Sequence, residues 1–197
     1  MKIVGIAGLP RSGKDSLAEL FIKNGYFGVS LGDIVRDESR KRHIDEPDPI
    51  SVKNMTETAN YLRFEKGPDF ALKEALLRFE QAEKKDSFKG LVVFSVRAPV
   101  EVDFILKSGG ELIWVESSDK VRYERSVSAR REGESEQTLT EMLKQEKLQE
   151  TPQPNLPADV QMNTSCVKAH ATKIFENDGS DFEIFKEKAT KTFRLLG

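Results

Sequence analysis

The feature that most constrains this chain lies within its first 21 residues. An apolar run, Ile3-Val4-Gly5-Ile6-Ala7, leads into Gly8-Leu-Pro-Arg11-Ser12-Gly13-Lys14-Asp15-Ser16, and then into Leu17, Leu20 and Phe21 at helical spacing. Two glycines five positions apart, followed by a lysine between a strand and a helix, suit a loop whose amides converge on a phosphate. Glycine allows the backbone to wrap closely, lysine adds a point charge, and the positive end of the helix adds to the field. Gly8, Arg11, Ser12, Gly13, Lys14, Asp15 and Ser16 are therefore the expected phosphate-binding residues. Such a loop needs a buried strand on one side and a packed helix on the other, which commits the chain to an α/β architecture.

One position departs from the usual pattern. The residue after the lysine is normally a serine or threonine that binds magnesium; here it is Asp15, followed by Ser16. A carboxylate is also a hard oxygen ligand for the metal. It is equally a favourable charge in the first turn of a helix. Both readings stand at the sequence level.

The rest of the chain repeats the strand-then-helix rhythm. Lys2–Ala7, Tyr26–Leu31, Leu91–Val96, Glu111–Glu116 and Thr172–Glu176 read as strands, with the third and fourth apolar enough to be buried on both faces. Helices are expected over Asp33–Lys41, Val52–Phe64, Asp69–Glu83, from Pro99 onward, Asp119–Arg131 and Leu139–Gln149. A last helix carries Phe182, Phe185, Ala189 and Phe193 on one side, with Ser180 as its N-cap and Glu183 completing a capping box. This order predicts a five-stranded parallel sheet with helices on both faces, and a ligand at the carboxyl ends of the strands.

Composition narrows the function classes. The 197 residues carry a net charge of −2, so no nucleic-acid or membrane footprint is expected. A single cysteine, Cys166, excludes an internal disulfide framework. No apolar run is long enough to cross a bilayer, and no cationic leader precedes an apolar stretch, so a cytoplasmic protein is expected. His43 and His170 lack metal-ligand spacing. The oligomeric state is not readable.

Two more segments follow predicted strands: Gly32-Asp33-Ile-Val-Arg36 and the stretch centred on Arg97. Together with the first loop, Lys66-Gly-Pro-Asp69, Arg122-Tyr-Glu-Arg125 and Asn177-Asp178-Gly179-Ser180, they make the chain resemble the P-loop nucleoside and nucleotide kinases. The likeness is to the dephospho-CoA kinase-like and adenylate kinase-like proteins, and it runs from about Lys2 to Phe193. The resemblance implies one domain over residues 1–197, with an acceptor-binding region at about 32–85 and a short arginine-bearing lid at about 119–150. It implies ATP and Mg2+ as cofactors and a nucleotide-like small molecule as phosphoryl acceptor.

By the same resemblance, Lys14, Asp33 and Arg125 are the catalytic candidates. Asp33, Arg36 and Arg97 would bind the acceptor. Arg122, Arg125, Arg130 and Arg131 would form the lid; Asp15, Ser16 and Asp33 would serve the metal; Asn177 and Gly179 would meet the base. Arginine suits a phosphate clamp because its planar fork gives bidentate, permanently charged contacts. The plainer alternatives are ordinary ion pairs for Arg36 and Arg97, a solvated helix for the lid arginines, whose charge neighbouring glutamates nearly cancel, and a helix cap for the Asn177–Gly179 turn. The strand before Arg97 usually ends in an acid that holds magnesium through water; Val93-Phe94-Ser95-Val96-Arg97 has none. That departure keeps a second function open: a nucleotide-binding regulatory protein with slow ATP hydrolysis.

Overall fold

The computed structural model describes residues 2–128, 138–149, 154–155 and 157–195. Arg130 and Arg131 of the expected lid, and most of the proline-rich stretch 151–157, lie outside them.

Five strands form one parallel sheet in the order β2-β3-β1-β4-β5: β1 Ile3–Ala7, β2 Phe27–Ser30, β3 Leu91–Val96, β4 Glu111–Glu116 and β5 Lys173–Glu176. The helices are α1 Lys14–Lys23, α2 Leu31–Arg42, α3 Val52–Lys66, α4 Phe70–Glu83, α5 Pro99–Lys107, α6 Asp119–Ser128, α7 Leu139–Gln149, α8 Thr164–Ala169 and α9 Phe182–Phe193. Strand alternation divides the core in two. Leu91 and Val93 join Ile3, Leu112 and the apolar faces of α2, α4 and α5. Val92 packs with Val4, Ile6, Ile113 and the inward faces of α1 and α9. Each cluster closes one face of the sheet, the arrangement expected for strands that are apolar on both sides.

Local chemistry corrects several sequence-level boundaries. The second helix does not begin at Asp33: Ser30 is its N-cap and accepts from the Asp33 amide at 3.1 Å, so Leu31 opens it and Gly32 and Asp33 lie in the first turn. The last helix is capped by Asp181, not Ser180; one Asp181 carboxylate oxygen takes both the Glu183 and Ile184 amides, at 2.8 and 3.2 Å. Helix α8 was not foreseen. At six residues it is too short for its apolar period to register.

One irregularity lies two residues before a candidate site residue, Arg97. β3 pairs with β1 in regular register up to Ile6 opposite Phe94, and then Ala7 lies opposite Val96. Ser95 is the extra residue of this bulge and takes a φ of 65°, in the left-handed region. The bulge resets the alternation. Val92 and Phe94 face the α1 side, yet Val96 joins the same core as Leu91 and Val93. Val96, the strand residue just before Arg97, therefore faces the side opposite to the one that unbroken alternation would give it.

Ser95 should then rank as a backbone-limited position. Ser95→Gly is expected to keep or slightly raise the denaturation midpoint. Ser95→Val, which places a β-branched residue at positive φ, should cost roughly 1–2 kcal/mol or more. A urea titration that put valine at or above serine would contradict the bulge assignment.

Candidate functional site

β1 ends at the centre of the sheet, and the chain turns through Gly8–Gly13 into α1. Gly13 has a φ of 97°, and a Cβ there would meet Asn177 Nδ2 at 2.3 Å. A Cβ on Gly8 would lie 2.5 Å from Ser12 Oγ and 2.8 Å from the Val115 carbonyl oxygen. Both glycines are thus demanded by close approach. Lys14 opens α1 and is only 5% exposed. Burial lowers its pKa from the ordinary 10.5, and nearby Arg97 and Arg11 act in the same direction; Asp15, with its carboxylate 3.6 Å away, opposes them. A buried cation destabilised in this way gains when an anion arrives.

The loop is held from behind by α6. Arg122 and Arg125, three residues apart, lie on one face of that helix. Arg122 Nη1 reaches the Pro10 carbonyl at 3.2 Å. Arg125 Nη1 lies 3.1 and 3.2 Å from the carbonyls of Arg11 and Ser12, and 3.2 Å from Ser117 Oγ. Arg125 Nη2 meets the Asn177 and Gly179 carbonyls at 2.9 and 2.7 Å and Asn177 Oδ1 at 3.2 Å. Asn177 Nδ2 adds a 2.7 Å bond to the Ser12 carbonyl. Asp178 accepts from the Ser118 amide at 2.6 Å, which holds its carboxyl below the usual range and ties the β5–α9 turn to the end of β4.

The structure thus brings Arg122, Arg125, Asn177 and Gly179 to the loop, on its carbonyl side. Arg122 is completely buried, and its charge is met by Glu146 of α7 at 2.5 and 3.0 Å and by Asp119 at 2.7 Å. It braces the loop; with two carboxylates on its guanidinium it is not a free cation of a lid.

Two cavities flank the loop. The larger, about 650 Å³, lies toward α2 and α3 and is lined by Lys14, Asp15, Asp33, Arg36, Arg97 and Phe94 among others. The smaller, about 330 Å³, lies toward the β5–α9 turn and is lined by Arg11, Gly13, Ser16, Arg125, Asn177 and Gly179, again with Asp15. Asp15 borders both. Asp33 and Arg36 form an ion pair on successive turns of α2. Arg97, partly buried, has its pKa lowered by burial and by the neighbouring Arg63 and Arg36, against the pull of Glu101 and Asp15. Ser16 and Asp33 border different cavities, so the three metal candidates do not converge on one point within a single cavity.

Sequence reading missed three residues here. Arg63 of α3 is buried and lines the larger cavity. Its signal was available: Ala59 and Leu62, which precede it by four residues and one, are both buried, so Arg63 lies at the edge of the apolar face of α3. Glu101 is buried and accepts from the Arg97 and Ala98 amides at 2.7 and 3.1 Å, fixing the turn that carries Arg97. Phe182, half exposed and stacked on Phe185, lines the smaller cavity.

No protein-family model matches the chain. Over 136 residues, 68% of the chain, it is 33% identical to a UPF0200 protein of Methanococcus vannielii, 70% of which is covered. Among solved structures, TT1252 from Thermus thermophilus superposes with a TM-score of 0.52 at 20% identity, covering 99% of this chain and 98% of that one. A shikimate kinase from Bacteroides thetaiotaomicron gives 0.52 at 10% identity, with 98% of both chains covered. The likeness to these structures establishes the fold: a five-stranded α/β sheet of the P-loop kinase type.

The α6 brace predicts an asymmetric response to mutation. Glu146→Ala removes the main partner of a fully buried guanidinium and should cost about 3–5 kcal/mol, whereas Arg122→Met, which removes the buried charge itself, should cost less. Chemical denaturation of the two variants tests the order, and the reverse ranking would refute it.

Proposed function

The chain belongs to the UPF0200 protein family, and we propose that it is an ATP-dependent kinase that transfers a phosphoryl group to a nucleotide-like small molecule. The observation that carries this reading is the pair of cavities on either side of one phosphate loop. A transferase needs a donor compartment and an acceptor compartment meeting where the phosphoryl group moves. Lys14 and Asp15 stand at that junction, because both border the larger cavity and Asp15 also borders the smaller.

In this reading the smaller cavity takes the donor. The loop amides and Lys14 hold its outer phosphates, and its base lies against Asn177, Gly179 and the ring of Phe182. The larger cavity takes the acceptor, with Arg36 and Arg97 gripping its anionic group. Catalysis is then chiefly positioning and electrostatic stabilisation, as phosphoryl transfer requires little covalent help from the protein. Magnesium, when bound, neutralises charge on the donor phosphates. Asp15, Ser16 and Asp33 are hard oxygen donors of the kind it accepts. Among the described residues no group of three or more His, Cys, Asp or Glu could hold a metal ion, so phosphate oxygens and water would complete its shell. An acceptor that presents a hydroxyl would find in Asp33 a base; one that presents a phosphate needs none.

A second reading has one observation in its favour. β3 delivers Phe94 and Ser95, not a carboxylate, to the larger cavity. A regulatory protein that binds ATP and hydrolyses it slowly can lack that acid. It has no use, however, for a basic cavity on the far side of the loop. As a narrower point, no helix among the described residues is long and apolar enough to cross a membrane.

Three outcomes are expected. ADP release measured with a panel of nucleotides and nucleotide-like hydroxyl compounds should depend on the acceptor; slow release indifferent to every acceptor would favour the regulatory reading. Arg36→Lys and Arg97→Lys should each lower acceptor kcat/KM by roughly ten- to a hundredfold, because lysine keeps the charge and loses the fork, while ATP affinity measured alone stays unchanged. Lys14 should take up protons on ATP binding. Its folded pKa lies below 10.5, so the free protein loses the proton as pH rises through that lowered value, and ATP restores it. ATP affinity should therefore fall as pH rises between the lowered value and 10.5. Calorimetry in buffers of different ionisation enthalpy reads the uptake directly, and its absence in that window would remove Lys14 from the phosphate site.

A further inference from the structure

The larger cavity contains a cation that the acceptor clamp of Arg36 and Arg97 does not use. Arg63 enters from α3 and is 8% exposed. Its Nε is buried without a hydrogen-bond partner. Burial lowers its pKa, and Glu101 is the charge that offsets this among the described residues. Glu101 is already committed: one of its oxygens takes two backbone amides, and its charge is shared with Arg97. Arg36 and Arg63 both add to the repulsion that Arg97 experiences. Three guanidinium groups thus line a space with one buried carboxylate, Glu101; Asp33 is paired with Arg36, and the exposed Asp15 also pulls on Arg97. Beside them the same cavity presents Ile50, Met55, Ala59 and Phe70. Folding leaves such a charge arrangement under-compensated unless something anionic completes it.

We infer that Arg63 is a third ligand of the acceptor's anionic group, and that this group is a dianionic phosphomonoester, not a carboxylate, on a compact body that packs against the apolar wall. The inference rests on reading the larger cavity as the acceptor compartment. A carboxylate offers two oxygens to three guanidinium groups. A phosphomonoester brings close to two charges at neutral pH and three oxygens that can each meet a guanidinium edge.

Inorganic phosphate serves as the probe, with acetate as its singly charged counterpart. The wild-type chain should bind phosphate at two places, the loop and the arginine cluster. Lys14→Ala should retain the second. In that background Arg63→Met should weaken phosphate binding tenfold or more by calorimetry, and Arg63→Lys should weaken it as well because the fork is lost. Acetate should bind the Lys14→Ala protein at least tenfold more weakly than phosphate. The melting temperature separates a ligand-binding role from a packing role: unliganded Arg63→Met should melt at or above the wild type, since an under-compensated buried charge is gone. A folded Arg63 variant that binds phosphate within threefold of its Lys14→Ala parent, acetate binding as tight as phosphate, or a clear fall in the melting temperature of Arg63→Met would each overturn the inference. These readings are independent of ADP release. A wild-type chain with no kinase turnover sinks the kinase reading and leaves the phosphate titration interpretable.

Discussion

The site depends on where the loop's carbonyl groups point. Pro10, Arg11 and Ser12 present three successive carbonyl oxygens, and Arg122 and Arg125 of α6 hold all three, with Asn177 adding a second hold on the last. In a trans peptide the N–H lies opposite the C=O. Fixing the Ser12 carbonyl outward directs the Gly13 amide inward, toward the space a phosphate would fill. The brace thus does in the resting molecule what a ligand would otherwise have to induce. The ordering cost of the loop is met in folding and not in binding, which is how preorganisation raises affinity without added contacts.

The same brace explains why α6 carries arginine at these positions and why the charge had to be answered locally. A guanidinium has five N–H groups in a fixed plane and can span several carbonyls at once; lysine cannot. Arg125 joins three parts of the structure, the loop, the end of β4 and the β5–α9 turn, through two nitrogens. Arg122 is buried deeper and needs carboxylates, which Asp119 supplies from the preceding turn and Glu146 from α7. Helix α7 is therefore fastened to the loop through one ion-pair network, and any displacement of α6 would pull on the carbonyl side of the phosphate site.

The parts of this molecule that could be read from sequence are those encoded by contiguous residues. The strand–loop–helix start is local, and so is the alternation that gave the sheet; β3 and β4 match their expected limits, Leu91–Val96 and Glu111–Glu116. Placing Arg36 and Arg97 after strands was enough to bring both to one cavity. The Ser95 bulge was invisible because it arises from pairing with β1, 89 residues away in sequence, and the side that Val96 faces follows from it. Arg122 carried the right chemistry for a lid, yet its partner Glu146 comes from another helix, and only the packing of α6 on α7 reveals that its charge is consumed. Ser180 and Asp181 are both good caps, and a single-residue shift decided between them because the Asp181 carboxylate reaches two amides at once.

The cost of such a site is distributed unevenly, and this separates its two compartments. On the loop side three cations have work within the fold: Arg122 and Arg125 hold carbonyls, and Lys14 has a carboxylate 3.6 Å away. On the α2–α3 side the guanidinium groups of Arg97 and Arg63 carry depressed pKa values from burial, with Glu101 as their common counter-charge. A protein does not gain stability by burying cations without matched anions; the desolvation term exceeds what a shared carboxylate returns. The loop's carbonyls are accordingly held before any ligand arrives, whereas by the inference above the larger cavity is completed by one. Under that inference, stability surrendered by the buried guanidinium groups in the resting state reappears as binding free energy when an anion enters the larger cavity.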